Sequence, residues 1–169
     1  MKTLPLIITA KLDAASSNYF DRLRIKHFPP ERNFLAAHVT LFHHLPGENL
    51  DEIAADLESF AVRPAFSIAF DSWRSLGRGV AMNITSVELV NLRTKLAAHW
   101  HHYLTPQDSQ KFQPHITIQN KTDPQIARQL FQEISRTHQP FDGVVIGLSL
   151  WTYLGGPWRL EKSFLFAKR

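Results

Sequence analysis

The sequence contains no cysteine. That excludes disulfides, thiolate metal sites and a cysteine nucleophile, and it agrees with a reducing, cytoplasmic setting. No run approaches the roughly 20 apolar residues that a membrane helix needs. No block of about five Lys and Arg is present to act as a nucleic-acid-binding tail. The N-terminal MKTLPLIITAKLDA has one early lysine and a short apolar run, but Lys11 and Asp13 interrupt it and no small-residue cleavage site follows. It reads as a first strand and not as a secretory signal. Charged residues make up only 20%, too few for a disordered polyampholyte.

What is present is enough for a core. Hydrophobic residues are 44% of 169, and no Pro/Gly/Ser-rich linker divides the chain, so residues 1–169 are expected to form a single domain. Nineteen Lys and Arg against 15 Asp and Glu give a net charge of +4, with nine histidines in reserve. That mild basic bias suits an anionic substrate.

Hydrophobic periodicity divides the chain into alternating elements. Residues 6–12 (LIITAKL) read as a buried strand. Asp13 is placed to cap a helix over 14–25 that carries Tyr19, Phe20 and Leu23. Pro29 and Pro30 mark a loop before a strand over 38–45 (HVTLFHHL), which Pro46 and Gly47 end. A helix over 50–60 follows, then strands over 66–73 and 80–84 joined at Gly77-Arg78-Gly79. The longest predicted helix spans 86–104, with Val87, Leu89, Val90, Leu92, Leu96 and Trp100 inward. Residues 106–113 form a polar loop, 115–119 (HITIQ) a strand, and Thr122-Asp123-Pro124 opens a helix bearing Ile126, Leu130, Phe131 and Ile134. Two closing strands, 144–153 and 159–167, flank Gly155-Gly156-Pro157. The pattern is that of an α+β domain with largely antiparallel sheet.

One feature repeats. His38-Val39-Thr40-Leu41 and His115-Ile116-Thr117-Ile118 share the order His, β-branched apolar, Thr, aliphatic, half a chain apart. Each is followed by a helix. Side chains alternate along a strand, so each His and Thr share one face while the two apolar residues anchor the other. If the halves pack about a pseudo-twofold axis, two imidazoles and two hydroxyls meet in one groove. One imidazole can take a proton from water and the other can give one to a leaving alkoxide. The hydroxyls can hold the non-bridging oxygens of a phosphate. The free pKa of histidine lies near neutrality, so one ring can act as base while its partner acts as acid. A lone H-x-T on a strand is more often a surface or satisfied core histidine; the matched pair is what argues for a site.

Paired H-x-T-hydrophobic motifs at this separation resemble the two-histidine phosphoesterase superfamily, in particular its bacterial 2′-5′ RNA ligase-like branch. The resemblance extends to the first strand and helix, the proline-containing approach to the first motif, and W-T-Y-L-G-G-P-W at 151–158. It implies a bilobal α+β fold, with two pseudo-symmetric lobes of largely antiparallel sheet around a central groove and helices outside. It implies His38 and His115 as catalytic residues and Thr40 and Thr117 as substrate-binding residues. It implies metal-independent work, without a cofactor, on 2′,3′-cyclic or 2′-5′-linked nucleotide or RNA phosphates, hydrolysis before ligation. A nucleotide- or RNA-end-binding module with the same groove and little turnover is the alternative.

Other residues compete for roles. Trp151 and Tyr153 share a strand face, and with Trp158 they could stack a base in the groove or pack the lobes. Arg78, Arg32 and Lys11 could reach a phosphate or lie in solvent. His99 and His102 are three apart on a helix, but no carboxylate sits at matching metal-ligand spacing. By strict alternation His44 shares the face of His38 and Thr40, farther along, while His43 faces the helical layer or the lobe edge. No membrane or obligatory protein partner is expected.

Overall fold

A computed structural model describes residues 3–167. Seven strands and four α-helices alternate: β1 (Leu6–Leu12), α1 (Ala14–His27), β2 (Val39–Leu45), α2 (Leu50–Phe60), β3 (Phe66–Ser75), β4 (Val80–Thr85), α3 (Val87–His99), β5 (His115–Gln119), α4 (Pro124–Thr137), β6 (Phe141–Tyr153) and β7 (Trp158–Leu165). All strand pairings are antiparallel, in the order β2-β1-β6-β3-β4-β5, with β7 also on β6. The fold is α+β, a curled half-barrel sheet with the helices packed on it. No helix among the described residues is long and apolar enough to cross a membrane.

The spine is β6, which begins three residues earlier than its apolar run suggests. Phe141–Val145 pair with Phe66–Phe70 of β3, while Val145–Thr152 pair with Leu6–Leu12 of β1. One strand thus joins both halves of the chain into a continuous sheet. The motif strands β2 and β5 lie at its two ends, and the curl brings them close to one another. Between them the path crosses five antiparallel steps, an odd number, so β2 and β5 run in opposite directions.

Two helices, one from each half of the chain, reach the motif strand of the other half. The first helix, α1, follows β1 but packs on β5. The third, α3, follows β4 but reaches β2, where Trp100 meets Phe42 edge-on at 5.3 Å. It is shorter than the sequence pattern suggests, because the buried Trp100 already closes it and a 3-10 turn, His101–Tyr103, follows. Val87 and Val90 are exposed, and the buried stripe is Leu89, Leu92 and Leu96. On α4 the stripe is likewise rotated, with Ala127 and Leu130 buried and Ile126 exposed.

Asp13 caps α1 as its position before the helix suggests. Its carboxylate accepts from the Ser16 amide at 2.9 Å and hydroxyl at 2.7 Å, and also from the Val144 amide of β6 at 2.8 Å. Burial pushes this carboxyl upward, but those donors outweigh it and hold the pKa below 3.8. A depressed carboxyl stabilises the fold above its unfolded-state pKa, and that contribution is lost as pH falls through the lower folded value. Asp13→Ala is expected to cost about 1–3 kcal/mol at neutral pH, and less at pH about 2. Urea unfolding at the two pH values measures it; a loss independent of pH contradicts the assignment.

Candidate active site

Both motifs keep the expected alternation at their cores. Val39, Leu41, Ile116 and Ile118 are buried, while His38, Thr40, His115 and Thr117 are partly exposed on the other face. His38 stands one residue before β2, and His115 opens β5. The two rings are anchored alike. His38 Nδ1 lies 2.8 Å from the Ala36 carbonyl and His115 Nδ1 lies 2.8 Å from the Gln113 carbonyl, each two residues upstream. A carbonyl only accepts, so Nδ1 carries the proton in both rings and Nε2 is left for chemistry.

Because β2 and β5 run oppositely, the motifs are crossed. Thr40 and His115 line one cavity of about 390 Å³; His38 and Thr117 line a second of about 440 Å³. The charge of His115 reaches His38 and disfavours its protonation. Burial drives the His38 imidazolium down to about 4 against its hydrogen bond to Ala36, and Arg24, His115 and His43 push it the same way. Burial also lowers His115, helped by Arg74 and His43.

Aromatic side chains close the second cavity. The Trp158 ring sits 4.7 Å from that of His38, tilted by 56°. Tyr153 lines the same cavity, with Phe34, Arg32 and Lys121. Trp151 stands behind them: it meets Trp158 edge-on at 6.0 Å, and its indole N–H donates to Thr9 Oγ1 at 2.9 Å. Arg78 donates to the Thr122 carbonyl at 3.0 Å and so ties the β3–β4 turn to the start of α4. His99 pairs with Asp56 at 3.0 Å.

The first cavity holds a histidine that strict alternation assigns elsewhere. His43, not His44, lines it beside Thr40 and His115. The cause is a bulge: Ile8 opposes Phe42 and Thr9 opposes Thr40, so Leu41 has no partner on β1 and the strand changes phase. Two buried groups secure the bulge. Arg93 of α3 donates to the Leu41 carbonyl at 2.8 Å and to the Asp108 carbonyl. The Asp108 carboxylate accepts from the amides of His43 and His44 and from His43 Nδ1 at 3.0 Å. Burial would raise the Asp108 carboxyl, but the His43 ring and those amides hold it below the usual value. At β5, Arg24 of α1 plays the matching part and donates to the Thr117 carbonyl at 2.8 Å. Sequence reasoning missed Arg24, Arg93 and Asp108. The one available signal was charge at helical-core spacing: Arg24 follows Phe20 by four residues and Arg93 follows Leu89 by four.

A family profile, the 2′-5′ RNA ligase superfamily, matches residues 12–157. The chain belongs to that superfamily. Among solved structures, TT0787 of Thermus thermophilus superposes with a TM-score of 0.71 at 16% identity, covering 98% of this chain and 100% of that one. E. coli LigT complexed with 3′-AMP gives 0.65 at 19% identity, covering 99% and 100%. No match was found among curated proteins.

Trp158 is the principal ring covering His38. Trp158→Ala is expected to raise the His38 pKa from about 4 toward 6.5 by admitting water. An NMR titration of the imidazole signals reads it; an unmoved His38 would mean that burial by Trp158 is not what depresses it.

Proposed function

We propose that the chain is a phosphodiesterase that opens 2′,3′-cyclic or 2′-5′-linked nucleotide phosphates by acid–base catalysis between His38 and His115, without a metal. The observation that carries this reading is the matched anchoring of the two rings. Each has Nδ1 tied to its own upstream carbonyl, Nε2 free, and the threonine of the opposite motif in the same cavity. Among the described residues, no three His, Asp or Glu side chains converge as metal ligands would.

In this scheme the neutral imidazole takes a proton from water at Nε2 as the water oxygen bonds to phosphorus. The protonated partner gives its Nε2 proton to the departing ribose oxygen as that P–O bond breaks. The rings end with exchanged protonation. Thr40 and Thr117 donate to the non-bridging oxygens, where negative charge concentrates. A ribose 5′-hydroxyl in the place of water would give ligation through the same transfers. The aromatic wall of Trp158, Tyr153 and Phe34 suits a base, and Arg32 and Lys121 suit its phosphate. Solved LigT complexes hold 3′-AMP, ATP and NADP+, which fits a nucleotide ligand for this shared fold.

The test is turnover of a panel of 2′,3′-cyclic nucleotides as a function of pH. Both free-protein pKa values lie below 6.5. The singly protonated pair is therefore most populated on the acid side of neutrality, and kcat/KM should be bell-shaped with its maximum below pH 6.5. An optimum above pH 8 would contradict the histidine pair, about a pH unit and a half past the free imidazole value. Binding of every nucleotide with no product would favour a nucleotide-binding module.

A further inference from the structure

The acid–base pair leaves the His43–Asp108 dyad unused. The dyad is costly to build. Asp108 is 1% exposed, and the carboxylate is kept in the interior only by the amides of His43 and His44, the His43 ring and the adjoining buried Arg93. A buried charge held this way is weak evidence for stability, and the bulge it secures breaks the β1–β2 ladder. What the arrangement achieves is local: it turns His43 into the cavity of Thr40 and His115. Since an ionised Asp108 only accepts, His43 Nδ1 carries a proton, and Nε2 is the ring nitrogen left over.

The rest of that cavity is cationic. Arg74 and Lys111 line it, with Gln107, Gln110 and Gln113. Asp108 is the one carboxylate among the described lining residues, and it is turned to the β2 backbone. Arg74 gives Nη1 to the Gln113 side chain at 3.1 Å, yet its Nε is shielded from water with no hydrogen-bond partner among the described residues. A shielded donor without an acceptor costs about 1–3 kcal/mol, and at the wall of a cationic cavity an anionic ligand is one partner that would offset that cost. A scissile diester carries a single negative charge, which the two motifs already address. The cations of this cavity exceed that need.

We propose that the cavity of His43, Arg74 and Lys111 is a second phosphate subsite, which binds a phosphoryl group of the substrate other than the one being cleaved. This rests on the phosphodiesterase reading for its scissile phosphate, and it narrows the substrate class to nucleotides with at least two phosphates. His43, held in place by Asp108, offers Nε2 to that group and donates there as the imidazolium, in which both ring nitrogens carry protons. Arg74 supplies the planar fork that suits phosphate oxygens, and Lys111 adds charge at the mouth.

Calorimetric titration of the full chain with adenosine 2′-monophosphate, adenosine 2′,5′-bisphosphate and adenosine 3′,5′-bisphosphate tests this. At least one bisphosphate should bind about tenfold or more tightly than the monophosphate, as one hydrogen bond to a charged group would give. The gain should shrink as salt is added. In His43→Gln, and separately in Arg74→Gln and Lys111→Gln, it should fall by at least about threefold, roughly a third of the energy of such a bond. The last two keep the test alive if loss of the Asp108 contact unfolds the first. Equal affinity for mono- and bisphosphates in the wild type, or a gain untouched in all three variants, overturns the subsite. Turnover of adenosine 2′,3′-cyclic phosphate carrying a 5′-phosphate, which has both a scissile and a second phosphate, separates the two readings in the same preparation. A bisphosphate gain without turnover sinks the phosphodiesterase and leaves the subsite; turnover without the gain does the reverse. Failure to bind any of the nucleotides sinks both.

Discussion

Two strand edges that must not pair with each other govern this structure. The sheet curls until β2 and β5 approach, and closing the last ladder would complete a barrel and erase the groove. The edges cannot simply be left bare, because buried backbone groups without partners are expensive. Instead each is capped from the side. Arg93 takes the Leu41 carbonyl and Asp108 the amides beyond it on β2; Arg24 takes the Thr117 carbonyl on β5. Both guanidiniums are buried, over the rings of Phe28 and Phe42. Burial lowers Arg24 to about 10, which still leaves it charged at neutral pH. The guanidinium caps come from helices of the opposite half and Asp108 from the loop after α3, so the same contacts that keep the edges apart hold the halves together.

From that constraint the site follows. Strand alternation puts His and Thr of each motif on the groove side, and the odd number of antiparallel steps crosses the two motifs. Each imidazole then meets the threonine of the other half. The anchoring of Nδ1 to the carbonyl two residues upstream needs no distant partner, so both motifs carry it independently. The environment breaks the symmetry. The His38 side is walled by Trp158, Tyr153 and Phe34, and the His115 side by His43, Arg74 and Lys111. One end of the groove is walled by aromatic rings and the other by cationic and amide side chains.

Local pattern made most of this legible. The apolar stripes, the Asp13 cap and the repeated tetrad identify the elements, the α+β class and the motif strands, because each depends on residues within a few positions of one another. What the sequence hid depends on distance. The bulge at Leu41 exists only against Ile8 and Thr9 of β1, and without it alternation selects His44 over His43. Asp108 sits in a polar loop with no local reason to be buried; its partners lie 64 and 65 residues upstream. Arg24 reads as an ordinary surface cation until Thr117, 93 residues away, is placed beside it. The helix over 86–104 stops early for a similar reason: Trp100 docks on Phe42 and gives its indole N–H to Asp56 of α2.

The central claim is that His38 and His115 work as one acid–base unit. A double-mutant cycle on a 2′,3′-cyclic nucleotide measures this directly, with circular dichroism on the same samples to count folded molecules. His38→Ala and His115→Ala should each lower the rate about 10²–10⁴-fold, and the double variant should be little worse than either, since losing one partner already breaks the concerted transfer. Full activity per folded molecule in either single variant, or strictly multiplicative losses in the double, would mean that the two H-x-T strands do not share a reaction.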